Sequence, residues 1–241
     1  MEELILNNDR YYGIKSVVPI FGELEKKGIA KIQRIEIKDS RVSLQNLRAI
    51  MDGGRIFRVI DGHYIRLIVN KELVMSDTGM ERLSNEKFIH SANGHVLIAG
   101  LGIGLIVYTI MHKECVKSIT VIEKYQDVID LVAPKFPTVK IICADIFDWK
   151  PAKGEKFDTI YFDIWPHICT DSLADIKILH NKFKNSLNRA NTDHYMNSWM
   201  KEYLILQRRR DNWDERQRSS YFNHRDNVDK LMKELDKIRN D

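Results

Sequence analysis

Short apolar runs separated by segments of helical length fill the middle of the chain. The runs are rich in β-branched residues, which is typical of strands buried on both faces of a parallel sheet. The intervening segments, Leu105–His112 and Asp127–Lys135, are long enough for helices, and Pro137 ends the second one. This alternation predicts a doubly wound α/β domain over residues 95–200, with ligands bound at the carboxyl ends of its strands. The predicted strands are Val96–Ala99, Ser118–Ile122, Val139–Cys143 and Thr159–Asp163.

The first third of the chain follows a different pattern. Lys31–Lys38 alternates apolar and polar residues, as a half-buried strand does. Ile56–Ile60 and Tyr64–Val69 flank Asp61-Gly62, and this arrangement predicts a β-hairpin with the Asp-Gly pair in its turn. Residues 1–78 are therefore predicted to form a small β-rich module in front of the α/β domain.

Residues 79–94 are predicted to connect the two modules. Turn-forming residues lie just before them, and Ser84 is followed three residues later by Lys87, which gives only an incomplete cap. We therefore expect at most a short helix in this connecting segment.

The regular alternation fades after the fourth predicted strand. Ser172–Leu187 predicts a helix, but residues 191–201 contain no convincing strand pattern, so we expect the last strands of the sheet to be shortened or absent. Residues 201–241 predict a charged helical extension. Trp199 and Tyr203 lie four residues apart, which predicts that they share a helical face docked onto the core.

The charge balance indicates no polyanionic partner. The net charge of +4 arises from 38 basic and 34 acidic residues, so neither nucleic acid nor a membrane surface is demanded. Arg208–Arg210 could contact a phosphate backbone or a partner, but Asp211 and Asp214 follow directly and favour a solvated helix face. Nucleic acid is thus permitted by the charge without being indicated.

The cysteines and the N-terminus favour the cytoplasm. Cys115, Cys143 and Cys169 lie far apart with no CxxC pair, which suggests neither a disulfide framework nor a zinc site. The N-terminus is acidic where a signal peptide is basic, and no apolar run approaches the ~20 residues of a membrane span. We expect a cytoplasmic protein without a metal or a membrane partner.

Three glycines stand between the first predicted strand of the α/β domain and its helix. Gly100, Gly102 and Gly104 permit a tight turn and let the backbone approach a ligand closely. Glycines also serve simply to pack a helix tightly onto a strand, so this loop is either a small-ligand cradle or a packing device. The acids that follow the next strands favour the cradle.

One acid follows each of the next two predicted strands. Glu123 ends the second strand about 20 residues after the glycines, where a carboxylate can accept hydrogen bonds from both ribose hydroxyls. Asp145 follows the third strand and precedes Ile146 and Phe147, an apolar seat for a flat ring. Together these residues predict an adenosine site. A dinucleotide fingerprint would need a third glycine where Leu105 stands, so nicotinamide and flavin cofactors are disfavoured.

These motifs resemble those of class I S-adenosylmethionine-dependent methyltransferases, above all their spermidine-synthase-like branch. The resemblance covers about residues 55 to 200. The strings MSDTGMERLSN, VLIAGLGIG, VIEKYQDVIDLV and YFDIWPHICTDSL are similar to spermidine-synthase-like proteins of phage genomes. Members of that branch carry a small N-terminal β module, through which relatives often pair as homo-oligomers.

The resemblance implies S-adenosylmethionine as the cofactor and assigns residues to its parts. The glycine loop would hold the methionine end, Glu123 the ribose and Asp145 the adenine amine, while Asp163 would lie beside the sulfonium. The cofactor-binding residues so implied are Gly100, Leu101, Gly102, Gly104, Glu123, Lys124, Asp145, Ile146 and Asp163.

The loop after the fourth predicted strand implies the catalytic residues. Asp163 would be the base, and Trp165 would face a cationic methyl group or stack on a planar substrate, with ordinary packing as an equal alternative. His167 is assigned no role. In aminopropyltransferases the loop carries a second aspartate, which anchors a diamine, where Pro166 stands here. Those enzymes also carry a tyrosine and a glutamine at about the place of Glu81 and Arg82.

Three functions remain open at this point. A methyltransferase of unknown acceptor is favoured, because methyl transfer needs mainly positioning and a base. An aminopropyltransferase is opposed by Pro166. A non-catalytic nucleotide-binding or interaction protein would fit a shortened C-terminal half.

Overall fold

The computed structural model describes residues 14–38 and 61–216. The chain divides into two compact units, the first comprising Met1–His167 with Ala174–Trp199 and the second Ile168–Leu173 with Met200–Asp241. Both sheets belong to the first unit. In the second unit, residues 201–216 are helical. None of the helices within the described ranges is long and apolar enough to cross a membrane.

The N-terminal part of the first unit is a four-stranded antiparallel sheet in the order β1-β2-β3-β4. The strand predicted at Lys31–Lys38 is confirmed. In the β3–β4 turn, Asn70 and Lys71 have positive φ values of 51° and 71°, the conformation that a tight hairpin turn requires. The strands are β1 (Leu24–Lys27), β2 (Ala30–Ile37), β3 (Gly62–Val69) and β4 (Glu72–Ser76).

The predicted Asp-Gly hairpin is only partly within the described residues. Its first arm, Ile56–Ile60, lies outside them. Its second arm belongs to β3, but the pairing partners of β3 in the described sheet are β2 and β4, and Gly62 is already its first residue.

The connecting segment forms a helix, α1, over Gly79–Ser91, which begins after Thr78 rather than at the incomplete cap expected at Ser84. Its start is fixed by a buried ion pair, because the Arg82 guanidinium lies 3.5 Å from Asp77 Oδ2 and also donates to the Asp77 carbonyl. Asp77 in turn accepts hydrogen bonds from Ser16 Oγ and from the Ile65 amide, at 2.7 Å each. Arg82 therefore ties α1 to the antiparallel sheet.

The rest of the first unit confirms the predicted doubly wound α/β architecture. Five parallel strands are arranged in the order β7-β6-β5-β8-β9, and all four strands predicted from apolar runs are present. The elements are β5 (Gly94–Ala99), α2 (Leu105–Ile110), β6 (Val116–Glu123), α3 (Gln126–Val132), β7 (Lys140–Cys143), β8 (Thr159–Phe162), α4 (Ser172–Phe183) and β9 (Tyr195–Ser198).

The fifth parallel strand corrects two expectations. Residues 191–201 do contain a strand, β9, which pairs with β8 from Thr159↔Tyr195 to Phe162↔Ser198. Trp199 follows β9 directly and precedes the helix at residues 201–216, so Trp199 and Tyr203 do not share a helical face. The strand lacks an apolar run because Asn197 and Ser198 are buried polar residues, with Ser198 Oγ 2.9 Å from His180 Nε2.

The strand order places a ligand crevice. Successive strands step from β5 through β6 to β7 on one side and then pass to β8 and β9 on the other. The loops that follow β5 and β8 therefore diverge at the carboxyl edge, which is where open α/β sheets bind ligands. Beneath this edge the core is apolar, with Leu97, Ile160 and Phe162 completely buried.

Candidate functional site

A cavity of about 330 Å³ opens at the carboxyl ends of β5, β6, β7 and β8. This volume lies at the lower end of the range for small-molecule sites, about 300–1,000 Å³. Every site residue predicted from the sequence lines the cavity except Gly104. The predicted residues that do line it are Gly100, Leu101, Gly102, Glu123, Lys124, Asp145, Ile146, Asp163 and Trp165.

The three glycines of the loop after β5 are required by the fold itself. All have positive φ, at 96°, 53° and 72° for Gly100, Gly102 and Gly104. A Cβ on Gly100 would lie 2.0 Å from the Asp163 carbonyl oxygen, and one on Gly104 would lie 2.2 Å from the Phe136 ring. The packing interpretation of the glycines is thus satisfied in full. Gly100 and Gly102 also line the cavity, where the ligand cradle was predicted.

Hydrogen bonds within the protein occupy the amides of this loop. Leu101 N donates to Glu123 Oε2 at 2.8 Å, Gly100 N to the Ile122 carbonyl and Gly104 N to the Leu101 carbonyl. The expected approach of the loop backbone to a ligand therefore does not include these three N–H groups. At Gly100 and Gly102 the loop presents backbone without side chains to the cavity.

Glu123, at the end of β6, holds the loop in place. Its second oxygen, Oε1, accepts the amide hydrogen of Tyr125 at 2.9 Å, so one carboxylate joins the glycine loop to the start of α3. Burial raises its pKa, and the N–H groups of Leu101 and Tyr125 oppose that rise. Each carboxylate oxygen can accept two hydrogen bonds, which leaves acceptor capacity for a ligand hydroxyl.

Asp145 follows β7, and its carboxylate forms an ion pair with Lys124. Its Oδ1 accepts the Phe147 amide hydrogen at 2.9 Å, and its Oδ2 lies 3.0 Å from Lys124 Nζ. The Phe147 hydrogen bond, followed by the Lys124 contact, lowers its pKa. Ile146 is buried in the core and also lines the cavity, while Phe147 is partly exposed. This end of the cavity therefore presents an ionised acid beside an apolar surface.

Asp163 and Glu81 lie at the other end of the cavity. Desolvation raises the pKa of Asp163 from 3.8 to about 7, against a lowering hydrogen bond from Asn85. Desolvation and then the charge of Asp163 raise the pKa of Glu81 from 4.5 to about 8, with a Ser76 hydrogen bond in opposition. The charge of Asp163 thus acts on Glu81, and both carboxyl groups line the same cavity.

Glu81 was missed as a site residue by sequence reasoning, which noted it only as a departure from a family pattern. It lies in the first turn of α1 and is 7% exposed. Nothing in the local pattern marks it, because its burial arises from the start of α1 beside the carboxyl edge of the sheet.

Asn85 lies beside Asp163 and opposes the rise in the pKa of that carboxyl group. This residue is fully buried one turn after Glu81, and its Nδ2 donates to the Glu81 carbonyl at 3.0 Å. A carbonyl only accepts, so the amide orientation is determined, and the Tyr161 hydroxyl donates to Asn85 Oδ1 at 2.9 Å. The Tyr161 ring stacks on Phe88 at 4.1 Å. The amide is therefore held rigidly as a donor toward Asp163.

Two tryptophans wall the cavity. Trp165 packs against the hydrophobic core while also lining the cavity, and its Nε1 lies 3.4 Å from Asp175 Oδ2. Trp199 is buried, and its Nε1 donates to Ser84 Oγ at 2.8 Å. Trp199 was expected on a helical face and is instead part of the cavity wall. His167 is exposed and does not line the cavity, in agreement with its lack of an assigned role.

Parts of several solved structures are similar to this one. An S-adenosylmethionine-dependent methyltransferase from Clostridium acetobutylicum matches with a TM-score of 0.33 and 21% identity, covering 43% of this chain and 43% of its own. The N-methyltransferase NodS from Bradyrhizobium japonicum matches with a TM-score of 0.36 and 16% identity, covering 45% and 62%. DesVI from Streptomyces venezuelae matches with a TM-score of 0.33 and 13% identity, covering 45% and 44%. The chain spans less than two thirds of each of these structures.

No protein-family model matches the chain, and no curated protein does.

Proposed function

We propose that the protein is an S-adenosylmethionine-dependent methyltransferase. The observation that carries the proposal is the convergence of the glycine loop with three acids, each at the end of a different parallel strand, on one cavity. Glu123 ends β6, Asp145 and Asp163 follow β7 and β8, and all three line the cavity. Their environments differ, which suits a ligand with chemically different parts.

The cavity fits the proposed cofactor in shape and donor set. The surface at Gly100 and Gly102 admits a backbone-hugging chain, Glu123 has acceptor capacity for ribose hydroxyls, and Asp145 can accept from an exocyclic amine beside Ile146. A dinucleotide is disfavoured, because α2 begins at Leu105 where the fingerprint needs a glycine. When bound, the cofactor supplies an electrophilic methyl group on a sulfonium.

Asp163 has the properties of a general base. A carboxyl group with a pKa of about 7 is present in both its ionised and its protonated form near neutral pH, so it can both take up and release a proton there. Asn85 holds it by a hydrogen bond from a rigid amide. The carbonyl of Asp163 closely approaches Gly100, so the base is fixed to the proposed cofactor loop.

We also propose placement in the spermidine-synthase-like branch, on the resemblance of the motifs and on the antiparallel sheet β1–β4 that precedes the α/β domain. An aminopropyltransferase is then the second candidate. Pro166 stands where that activity places its second aspartate, which is why methyl transfer is preferred. The proposed location is a reducing cytoplasm, consistent with three free and exposed cysteines.

Calorimetric titration tests the proposal with four compounds: S-adenosylmethionine, S-adenosylhomocysteine, decarboxylated S-adenosylmethionine and methylthioadenosine. A methyltransferase should bind the two forms with an intact methionine end more tightly. Preference for the decarboxylated pair would favour the aminopropyltransferase, and binding of none would reject both.

Site variants make the titration specific to this cavity. Glu123→Ala should abolish binding, but it also releases the loop, so Asp145→Ala provides a test at a residue that does not hold the loop. Glu114→Ala is the control, since Glu114 is exposed and does not line the cavity. Circular dichroism of each variant separates lost binding from lost folding.

A further inference from the structure

The acids at the two ends of the cavity differ in their partners. Asp145 has Lys124 at 3.0 Å. Among the described residues, no Lys, Arg or His forms an ion pair with Glu81 or Asp163, whose polar partners are the Ser76 backbone and the Asn85 amide. Two carboxyl groups thus share one end of a cavity without a cation from the described part of the protein.

Within the described ranges, the two cationic residues next to the site acids in sequence, Arg82 and Lys124, have other partners. Arg82 follows Glu81 in α1, but its guanidinium is buried against Asp77 and lies on the sheet side of the helix. Lys124 contacts Asp145. Neighbouring carboxyl groups in a poorly solvated site are stable only with a shared proton or with a positively charged group between them. The pair is therefore built to receive one or the other.

We propose that Glu81 and Asp163 together bind the protonated amino group of the methyl acceptor, and that Glu81 is a second substrate-contacting residue. This inference rests on the proposed function. Both residues line the cavity, Glu81 from α1 and Asp163 from the end of β8, so they approach the acceptor from different elements. Trp165 and Trp199 supply walls for an apolar or planar body that carries the amine.

The same pair accounts for the proton in the reaction. The bound ammonium gives one proton to the carboxylate pair, and the freed nitrogen lone pair forms a bond to the transferred methyl carbon. The carbon–sulfur bond breaks, and its electrons remain on sulfur, which becomes neutral. The product is a methylated ammonium, and the carboxyl pair returns its proton to water.

Other acceptor classes fit this end poorly. A carboxylate or phosphate would meet two acids and be repelled. A hydroxyl acceptor needs one base and leaves the second carboxyl group without a cation. An amine satisfies both groups before transfer and leaves a proton for them after it.

The test compares two ligands that differ in one charge. Sinefungin carries an amino group in the place of the transferable methyl group, while S-adenosylhomocysteine carries nothing there. We expect the wild-type protein to bind sinefungin at least about tenfold more tightly, since charged hydrogen bonds to a buried acid are strong. Glu81→Gln should reduce this ratio about tenfold and leave the affinity for S-adenosylhomocysteine within about threefold. Glu81→Asp should recover part of the ratio.

Glu86→Gln is the matched control, because Glu86 lies in the same helix, pairs with His90 and does not line the cavity. A sinefungin ratio near one in the wild type, or one that Glu81→Gln leaves unchanged, would overturn the inference. Binding of neither ligand would instead reject the proposed function, and the inference with it. If Glu81→Gln does not fold by circular dichroism, Glu81→Ala gives the same comparison.

Discussion

Both ends of the cavity carry acidic side chains, but the pKa values of these side chains are shifted in opposite directions. At the β7 end, Asp145 is partly exposed, accepts an N–H group and lies against Lys124, and its pKa is lowered. At the α1 end, Glu81 and Asp163 are desolvated and lie within electrostatic reach of each other, and their pKa values are raised to about 8 and about 7. The ionised Asp145, whose charge is balanced by Lys124, suits recognition of a neutral group. Glu81 and Asp163, which have no such cation among the described residues, suit a bound cation or a proton.

Glu123 lies between these extremes and shows what decides the difference. It is as buried as Glu81, yet backbone N–H groups of the neighbouring loops surround it. Those hydrogen bonds offset part of its desolvation and give it a structural role. In this cavity the hydrogen-bond partners of an acidic side chain, more than its burial, therefore distinguish an acid that holds the fold from one that is available to a ligand.

The strongest test of the contrast is removal of the base. Asp163→Asn should lower turnover with an amine acceptor by about 10²–10⁴-fold, because a positioned general base contributes about that much. The affinity for S-adenosylhomocysteine should stay within about threefold, since that ligand brings no cation to the pair. Initial rates and calorimetry measure the two quantities. Equal losses in both would show that Asp163 is structural.

A methyl group at Gly100 tests the close approach of the glycine loop to the Asp163 backbone. Gly100→Ala should destabilise the fold by about 2–4 kcal/mol, because the new Cβ meets the Asp163 carbonyl at a positive φ. Gly22→Ala is the control, since its nearest atom would be 3.8 Å away, and it should change stability by less than about 1 kcal/mol. Urea unfolding at one pH gives both values. Similar values for the two variants would contradict the close approach.

The raised pKa values make stability depend on pH with a defined sign. Folding favours the protonated forms of Glu81 and Asp163, so their contribution is complete below their ordinary values of 4.5 and 3.8 and is lost as the pH rises toward 8. Glu81→Gln should therefore be more stable than the wild type at pH 8, by about 1–3 kcal/mol, and nearly equal at pH 4.5. Urea unfolding at the two pH values checks this. A variant that is less stable at pH 8 would contradict it.

We expect the smallest effect from substitution of Lys124, the exposed partner of Asp145 at the β7 end. Lys124→Ala should change stability by less than about 0.5 kcal/mol, because its side chain is 61% exposed and surface ion pairs contribute little. Cofactor affinity should fall by no more than about fivefold, since Asp145 keeps its hydrogen bond from Phe147. Thermal unfolding and calorimetry give both numbers. A large loss of affinity would place Lys124 in direct contact with the ligand.

The apolar runs made most of the fold predictable, and the acids at the ends of the strands made half of the site predictable. Continuous β-branched runs have few alternatives to buried parallel strands, so β5 to β8 were correct. The strand β9 was not predicted, because buried hydrogen bonds at Asn197 and Ser198 replace the apolar side chains that signal a strand. Such compensation depends on residues distant in sequence.

Glu81 could not be predicted as a site residue from the sequence, for a related reason. An acid in the first turn of a helix is ordinarily a solvated residue that complements the helix dipole. Its assignment to the cavity requires knowing that α1 begins at the carboxyl ends of the strands and that Asp77 and Arg82 anchor it there. The departure from the family pattern at this position was visible, but its meaning was not.

The hydrogen bonds of Glu123 also affect the rate at which a ligand binds. Because Leu101 and Tyr125 are bound to that carboxylate before any ligand arrives, the glycine loop loses its conformational entropy during folding. Association then requires little rearrangement of the backbone, which favours rapid binding to a preformed surface. Differences in affinity between related nucleosides at this site should consequently be expressed in their dissociation rates.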